Sequence, residues 1–175
     1  MRRVKLSDII APHFYELHRD IKEHRHTYYW LEGGRGSTKS SDISIEIPQI
    51  LIKNPDCHAV VLRKVGNTIK TSVYPQIQWG IDALGLSGKF KFKTSPHEIT
   101  YKKTGQKILF FGVDAPERLS QSSCLLAMSV LFGLRSSTSS LAWKRYETST
   151  SHFYAAVQNI GSFALSIRQN HKIIG

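Results

Sequence analysis

At 175 residues and 19.8 kDa the chain has room for one domain with a genuine hydrophobic core. Hydrophobic residues make up 41% and charged residues 21%, and no apolar run nears the eighteen or so residues of a membrane-spanning helix, so none is expected. The net charge of +11 points to a polyanionic partner, and Cys57 and Cys124 stand too far apart for a metal-ligand spacing, which fits a reducing cytoplasm.

The opening "MRRVKLSDII" breaks its apolar stretch with charges too soon for a signal peptide. Ser7 can cap a helix reaching about His24, with Ile10, Phe14, Leu17 and Ile21 on one stripe. "HTYYWLE" reads as a strand turning at Gly33–Gly34. A second helix is expected from near Thr38 through Ile43, Ile47, Ile50 and Leu51, kinked or cut short by Pro48. After a turn at "NPDCH", Ala59–Lys64 ("AVVLRK") forms a short buried strand. Asn67 can cap a third helix carrying Ile69, Val73, Ile77 and Ile81, with Pro75 disturbing its first half and "LGLSG" closing it.

The period then changes to two. "KFKFKTSPHEITYKKTGQKILFFGVD" contains three short strands with turns at "TSPH" and "KTGQ". Alternation in Lys89–Lys93 ("KFKFK") gives one lysine face, facing either solvent or a phosphate backbone; Lys102–Lys103 and Arg63–Lys64 are the other basic groups. Strand, loop, helix, strand, helix and further strands specify an α/β domain with a mainly parallel sheet.

Chemistry concentrates in "LEGGRGSTKSS". Against G-x-x-x-x-G-K-[ST], the chain reads Gly33, Gly34, Arg35, Gly36, Ser37, Thr38, Lys39, Ser40, with Thr38 in place of the second glycine. Backbone N–H groups from Gly34 to Lys39 can converge on phosphate oxygens at a helix N-terminus. Lys39 then bridges the terminal phosphates, Ser40 offers its hydroxyl to Mg²⁺, and Arg35 adds a second positive charge. Thr38 fits cheaply only if its backbone is not left-handed.

From Tyr28 to Leu119, this loop and the segments "HAVVLRKVGNTIKTSVYPQIQWGIDALGL" and "KFKFKTSPHEITYKKTGQKILFFGVDAPERL" resemble the large subunit of tailed-phage terminases of the PBSX type. The resemblance implies a P-loop NTPase fold of the RecA/ASCE kind. It implies an ATP- and Mg²⁺-dependent motor in the host cytoplasm that packages double-stranded DNA with a small subunit and a portal. It also implies a separate nuclease domain, expected to be absent from these 175 residues. Gly33 to Ser40 carry over as nucleotide-contacting positions, and Ser40 as the Mg²⁺ position. Arg63 matches a basic position in the family pattern without an assigned role.

The family's next strand ends in adjacent acids, one for Mg²⁺ and a glutamate for the attacking water. Residues 120–175 hold one acid, Glu147, against twelve in residues 1–119, and they hold twelve serines. Reading the last base of each codon with the first two of the next turns the tail into a string containing "VWFEEFDEF" and "FNPPK". Trp143 followed by Lys144 forces a glutamate in that frame. The expectation is therefore a terminase ATPase-domain piece over residues 1–119 and an irregular, out-of-frame tail from about Ser120, binding ATP weakly without hydrolysing it. Two rival readings remain: a different small P-loop NTPase with Asp114 as its metal acid, and a nucleic-acid-binding module built on the basic strands.

Overall fold

The computed structural model describes residues 4–26, 28–33, 36–55, 58–63, 65–112, 127–135 and 164–169. No helix among them is long and apolar enough to cross a membrane.

The continuous helix expected from Ser7 is broken into 3-10 turns at Leu6–Asp8 and Pro12–Phe14, followed by helix α1 (Tyr15–Lys22). Pro12 is the cause: it has no N–H to donate, and it forces Ala11 into an extended conformation. Ser7 makes no capping bond and donates to Asp8 instead. The apolar stripe still points inward, with Ile10, Phe14 and Ile21 buried.

Strand β1 (Tyr28–Gly33) leads through the loop to helix α2 (Lys39–Lys53), then strand β2 (His58–Arg63) and helix α3 (Val73–Ala83). Pro75 falls in the first turn of α3, where its missing N–H is harmless, so the proline marks where the helix begins. Three antiparallel strands follow: β3 (Phe90–Thr94), β4 (His97–Tyr101) and β5 (Lys107–Gly112). The lysine face of "KFKFK" is present, with Phe90 buried and Lys91 and Lys93 exposed.

The irregular tail expected after Ser120 contains two strands, β6 (Ala127–Arg135) and β7 (Ala164–Gln169); its other residues lie outside the described ones. The sheet order is β1-β7-β6-β2-β5-β4-β3. Pairing is parallel from β1 to β5 and antiparallel from β5 to β3, which makes a mixed α/β sheet. A ladder uses backbone groups alone, so apolar runs such as "AMSVLFGLR" can fill the gap between β1 and β2 without side-chain periodicity.

Helices α2 and α3 cover one face of the sheet, burying Ile43, Ile47, Leu51, Ile77 and Ile81 against Ala59, Val61, Ile99 and Ile108. Ile10, Phe14 and Ile45 form a second cluster that seats the amino-terminal segment on α2. Contrary to the expected early break, α2 continues past Pro48 to Lys53. Proline at this position leaves the Ser44 carbonyl without its helical donor. Gly80 of α3 packs against that same carbonyl, so close that a Cβ there would lie 2.0 Å from the oxygen. A glycine Cα–H can approach an acceptor left open in this way. At the far end of α2, buried Gln106 donates to the Leu51 and Asn54 carbonyls and so caps the helix from the β4–β5 turn.

Candidate nucleotide site

β1 delivers the chain to the carboxyl edge of the parallel strands, and α2 carries it back. This is the geometry in which a helix N-terminus faces an incoming anion. Of the eight loop positions picked out in the sequence, Gly33 closes β1, and Gly36 to Ser40 make the turn into α2. Gly34 and Arg35 lie outside the described residues.

Gly36 has φ +82° with open space where a Cβ would stand, so its glycine serves backbone conformation rather than room. Thr38 adopts φ 55° and ψ 7°, the left-handed region. The condition for a cheap threonine is therefore not met, and a β-branched residue there costs roughly 1–2 kcal/mol. Thr38 makes no side-chain cap, although its carbonyl accepts the Asp42 N–H at 3.0 Å. The first-turn N–H groups of a fifteen-residue helix are thus left without a capping hydroxyl from that residue.

Lys39 is only 4% exposed, and its Nζ donates to Ser37 Oγ. Burial pulls its pKa below the ordinary lysine value, and an anion beside it would reverse that cost. A buried ammonium, a hydroxyl and a helix N-terminus gathered in one turn fit a phosphate group. Ser40 follows, half-buried. Among the described residues no three His, Cys, Asp or Glu side chains gather into a metal-holding group.

Two acids near the loop escape a sequence search. Asp42 and Glu46 sit one turn apart on α2, 3% and 1% exposed. Burial, then the charge of Glu46, raises the Asp42 carboxyl to about 8. Neither of its oxygens has a hydrogen-bond partner among the described residues. Burial also raises Glu46 to about 8, with Lys53 opposing. Glu46 meets His18 Nδ1 of α1, whose pKa is lowered by burial and by Lys53 and Lys22. Burial thus pushes both partners toward their neutral forms, a carboxyl beside an imidazole. The available signal was an i, i+4 acid pair threaded among the isoleucines of α2.

Arg63 ends β2 at the same carboxyl edge, half-buried, its Nε donating to Thr68 Oγ1; burial lowers its pKa. Further across, Gly33 pairs with Gln169 of β7, and Gln169 pairs with Arg135 of β6. Position 135 thus shares a row with the first loop glycine, two strands or about 10 Å away. Neither β6 nor β7 contains an acid. Asp114 lies outside the described residues.

Comparison with known proteins agrees with this geometry. The family model described as "Phage terminase large subunit" matches residues 25–133. The terminase large subunit of Bacillus phage SPP1 is 37% identical over 119 residues, covering 68% of this chain and 28% of that protein. The PBSX phage terminase large subunit of Bacillus subtilis (strain 168) is 33% identical over 110 residues, covering 63% and 24%. The chain thus spans about a quarter of the length of these relatives. Among solved structures, the large terminase ATPase domain of Thermus phage P74-26 superposes with a TM-score of 0.58 at 14% identity, covering 90% of this chain and 68% of that one. A mutant of that domain also gives 0.58, at 13% identity, covering 93% and 71%. With the α/β fold shared and the family match covering more than half of its residues, the chain belongs to the phage terminase large subunit family.

Proposed function

We propose that residues 1–119 are the nucleotide-gripping part of an ATP-driven motor that packages double-stranded phage DNA in the host cytoplasm, with a small subunit and a portal as its partners. The observation that carries this reading is buried Lys39, set with Ser37 at the N-terminus of α2 directly after β1. Gly33, Gly34, Arg35, Gly36, Ser37, Thr38, Lys39 and Ser40 hold the phosphates, and Ser40 takes Mg²⁺. When bound, the metal neutralises charge developing on the phosphates. The strain at Thr38 and the lost glycine make this grip weak.

The grip works without hydrolysis. A carboxylate must stand near the terminal phosphate to hold the metal and orient water. The row that begins at Gly33 instead ends, two strands over, on Arg135. In the shifted reading frame, the first two glutamates of "VWFEEFDEF" are spelled across the codons of Leu134, Arg135 and Ser136, at the end of β6. That coincidence of an acid-bearing string with a strand end supports loss of one base near Leu119–Ser120.

Calorimetric titration of ATP tests the grip. Lys39→Ala is expected to lose about tenfold or more in affinity; equal binding by both proteins would remove Lys39 from the site. ATP turnover by the purified chain is expected at background. Turnover abolished by Asp114→Asn would instead make Asp114 the metal acid of a different P-loop enzyme. The frame is tested on the gene: a single-base insertion at the Leu119 codon should open a long terminase-like reading frame, and failure to find one ends the idea.

A further inference from the structure

The basic hairpin is not part of the loop's chemistry. Residues 87–112 contain six lysines and a single acid, Glu98. Strand β3 lies six strands from β1, roughly 29 Å along the sheet, and Lys107 on β5 lies four strands away, roughly 19 Å, so none of these lysines reaches a nucleotide at Lys39.

Pairing sorts the lysines onto one face. Lys91 stands opposite Thr100, and Thr100 opposite Lys107, so the three form a row across β3, β4 and β5. Lys93 stands opposite Glu98 in the next row. Residues in register share a face, and the intervening residues Phe90, Ile99, Tyr101, Ile108 and Phe110 are buried in the core on the other. Glu98 is already engaged, accepting from Lys107 Nζ at 3.3 Å and from Thr100 at 3.2 Å. One carboxylate, paired with Lys107, against three lysines leaves this face with a surplus of positive charge. Lys103, in the adjoining turn, is exposed as well.

Edge protection explains lysines on β3, which ends the sheet among the described residues. It does not explain Lys107, which lies two strands inside that edge. We propose that the face carrying Lys91, Lys93 and Lys107, with Lys103 beside it, lies along the phosphate backbone of duplex DNA, at the opposite end of the sheet from the phosphate loop. The choice of DNA rests on the packaging reading; the surface itself rests on the register and the charge. Lysines at fixed spacing on a rigid sheet hold a repeating polyanion through counterion release, without reading its sequence.

Fluorescence anisotropy on a labelled duplex, with the full chain and a salt series, tests this. Replacing Lys91, Lys93 and Lys107 together by glutamine is expected to weaken binding about tenfold or more and to flatten the salt dependence by about three ions. Lys107→Gln alone should flatten it by about one ion. A control that removes the same charge elsewhere, at Lys5, Lys22 and Lys70, should change binding much less. Equal losses in the two triple variants would reduce the effect to net charge and overturn the proposal. No duplex binding by the parent chain overturns it too. Unchanged affinity with new aggregation of the hairpin variant would also overturn it, making the lysines edge guards. Lys39-dependent ATP binding is scored separately, so the packaging reading and the DNA surface fail by different results.

Discussion

Gly80→Ala should destabilise the protein by about 3 kcal/mol or more, although alanine is the better helix former by about 1 kcal/mol. The new Cβ would lie 2.0 Å from the Ser44 carbonyl oxygen and 2.5 Å from its carbon, both backbone atoms of α2 that no rotamer change can move. Relief requires the two helices to part by more than an ångström. Ile43, Ile47, Ile77 and Ile81, all fully buried, pack where they meet, and separation would open voids along the whole contact. The Gln76–Ser44 side-chain contact at 3.4 Å would open as well. Urea denaturation of the variant checks this, and a gain in stability would show that α3 is free to shift.

Stability should fall as pH rises from about 5 to about 8. Unfolded, Asp42 and Glu46 titrate near 3.8 and 4.5; folded, both sit at about 8. Between those values the folded chain keeps protons that the unfolded chain has released, so each step up in pH favours unfolding, and the loss levels off above the folded values. His18 works the other way. Its folded pKa is held below 6.5, so acid below that point favours the unfolded chain and trims the gain at low pH. Asp42→Asn combined with Glu46→Gln removes both carboxyls, while the amide introduced at position 46 can still donate to His18. The pair of changes is expected to stabilise the protein by several kcal/mol more at pH 8 than at pH 5. Paired urea titrations at the two pH values read this directly; equal differences at both would show that these carboxyls are not forced to stay protonated.

Residues with a strong local signal were legible in advance. The strand before the loop, the helix after it, the buried Ala59–Leu62 run and the "KFKFK" alternation all appear where spacing puts them. Proline effects were harder, because they depend on surroundings: Pro12 ends a helix, Pro75 begins one, and Pro48 is absorbed because α3 approaches the carbonyl it frees. Thr38 could be named as the unusual loop residue, but its left-handed backbone had to be seen. The Asp42–Glu46–His18 group joins residues 28 positions apart and carries no sequence motif. The strands β6 and β7 gave no periodic signal in the sequence.

Among the described residues β1 ends the sheet, with β7 as its only neighbour. The two strands come from stretches well over a hundred residues apart. As the polypeptide leaves the ribosome, the segment that launches the glycine turn therefore waits unzipped until residues 164–169 have emerged. Contacts this distant in sequence form late, so until then the launching segment lacks its described sheet partner.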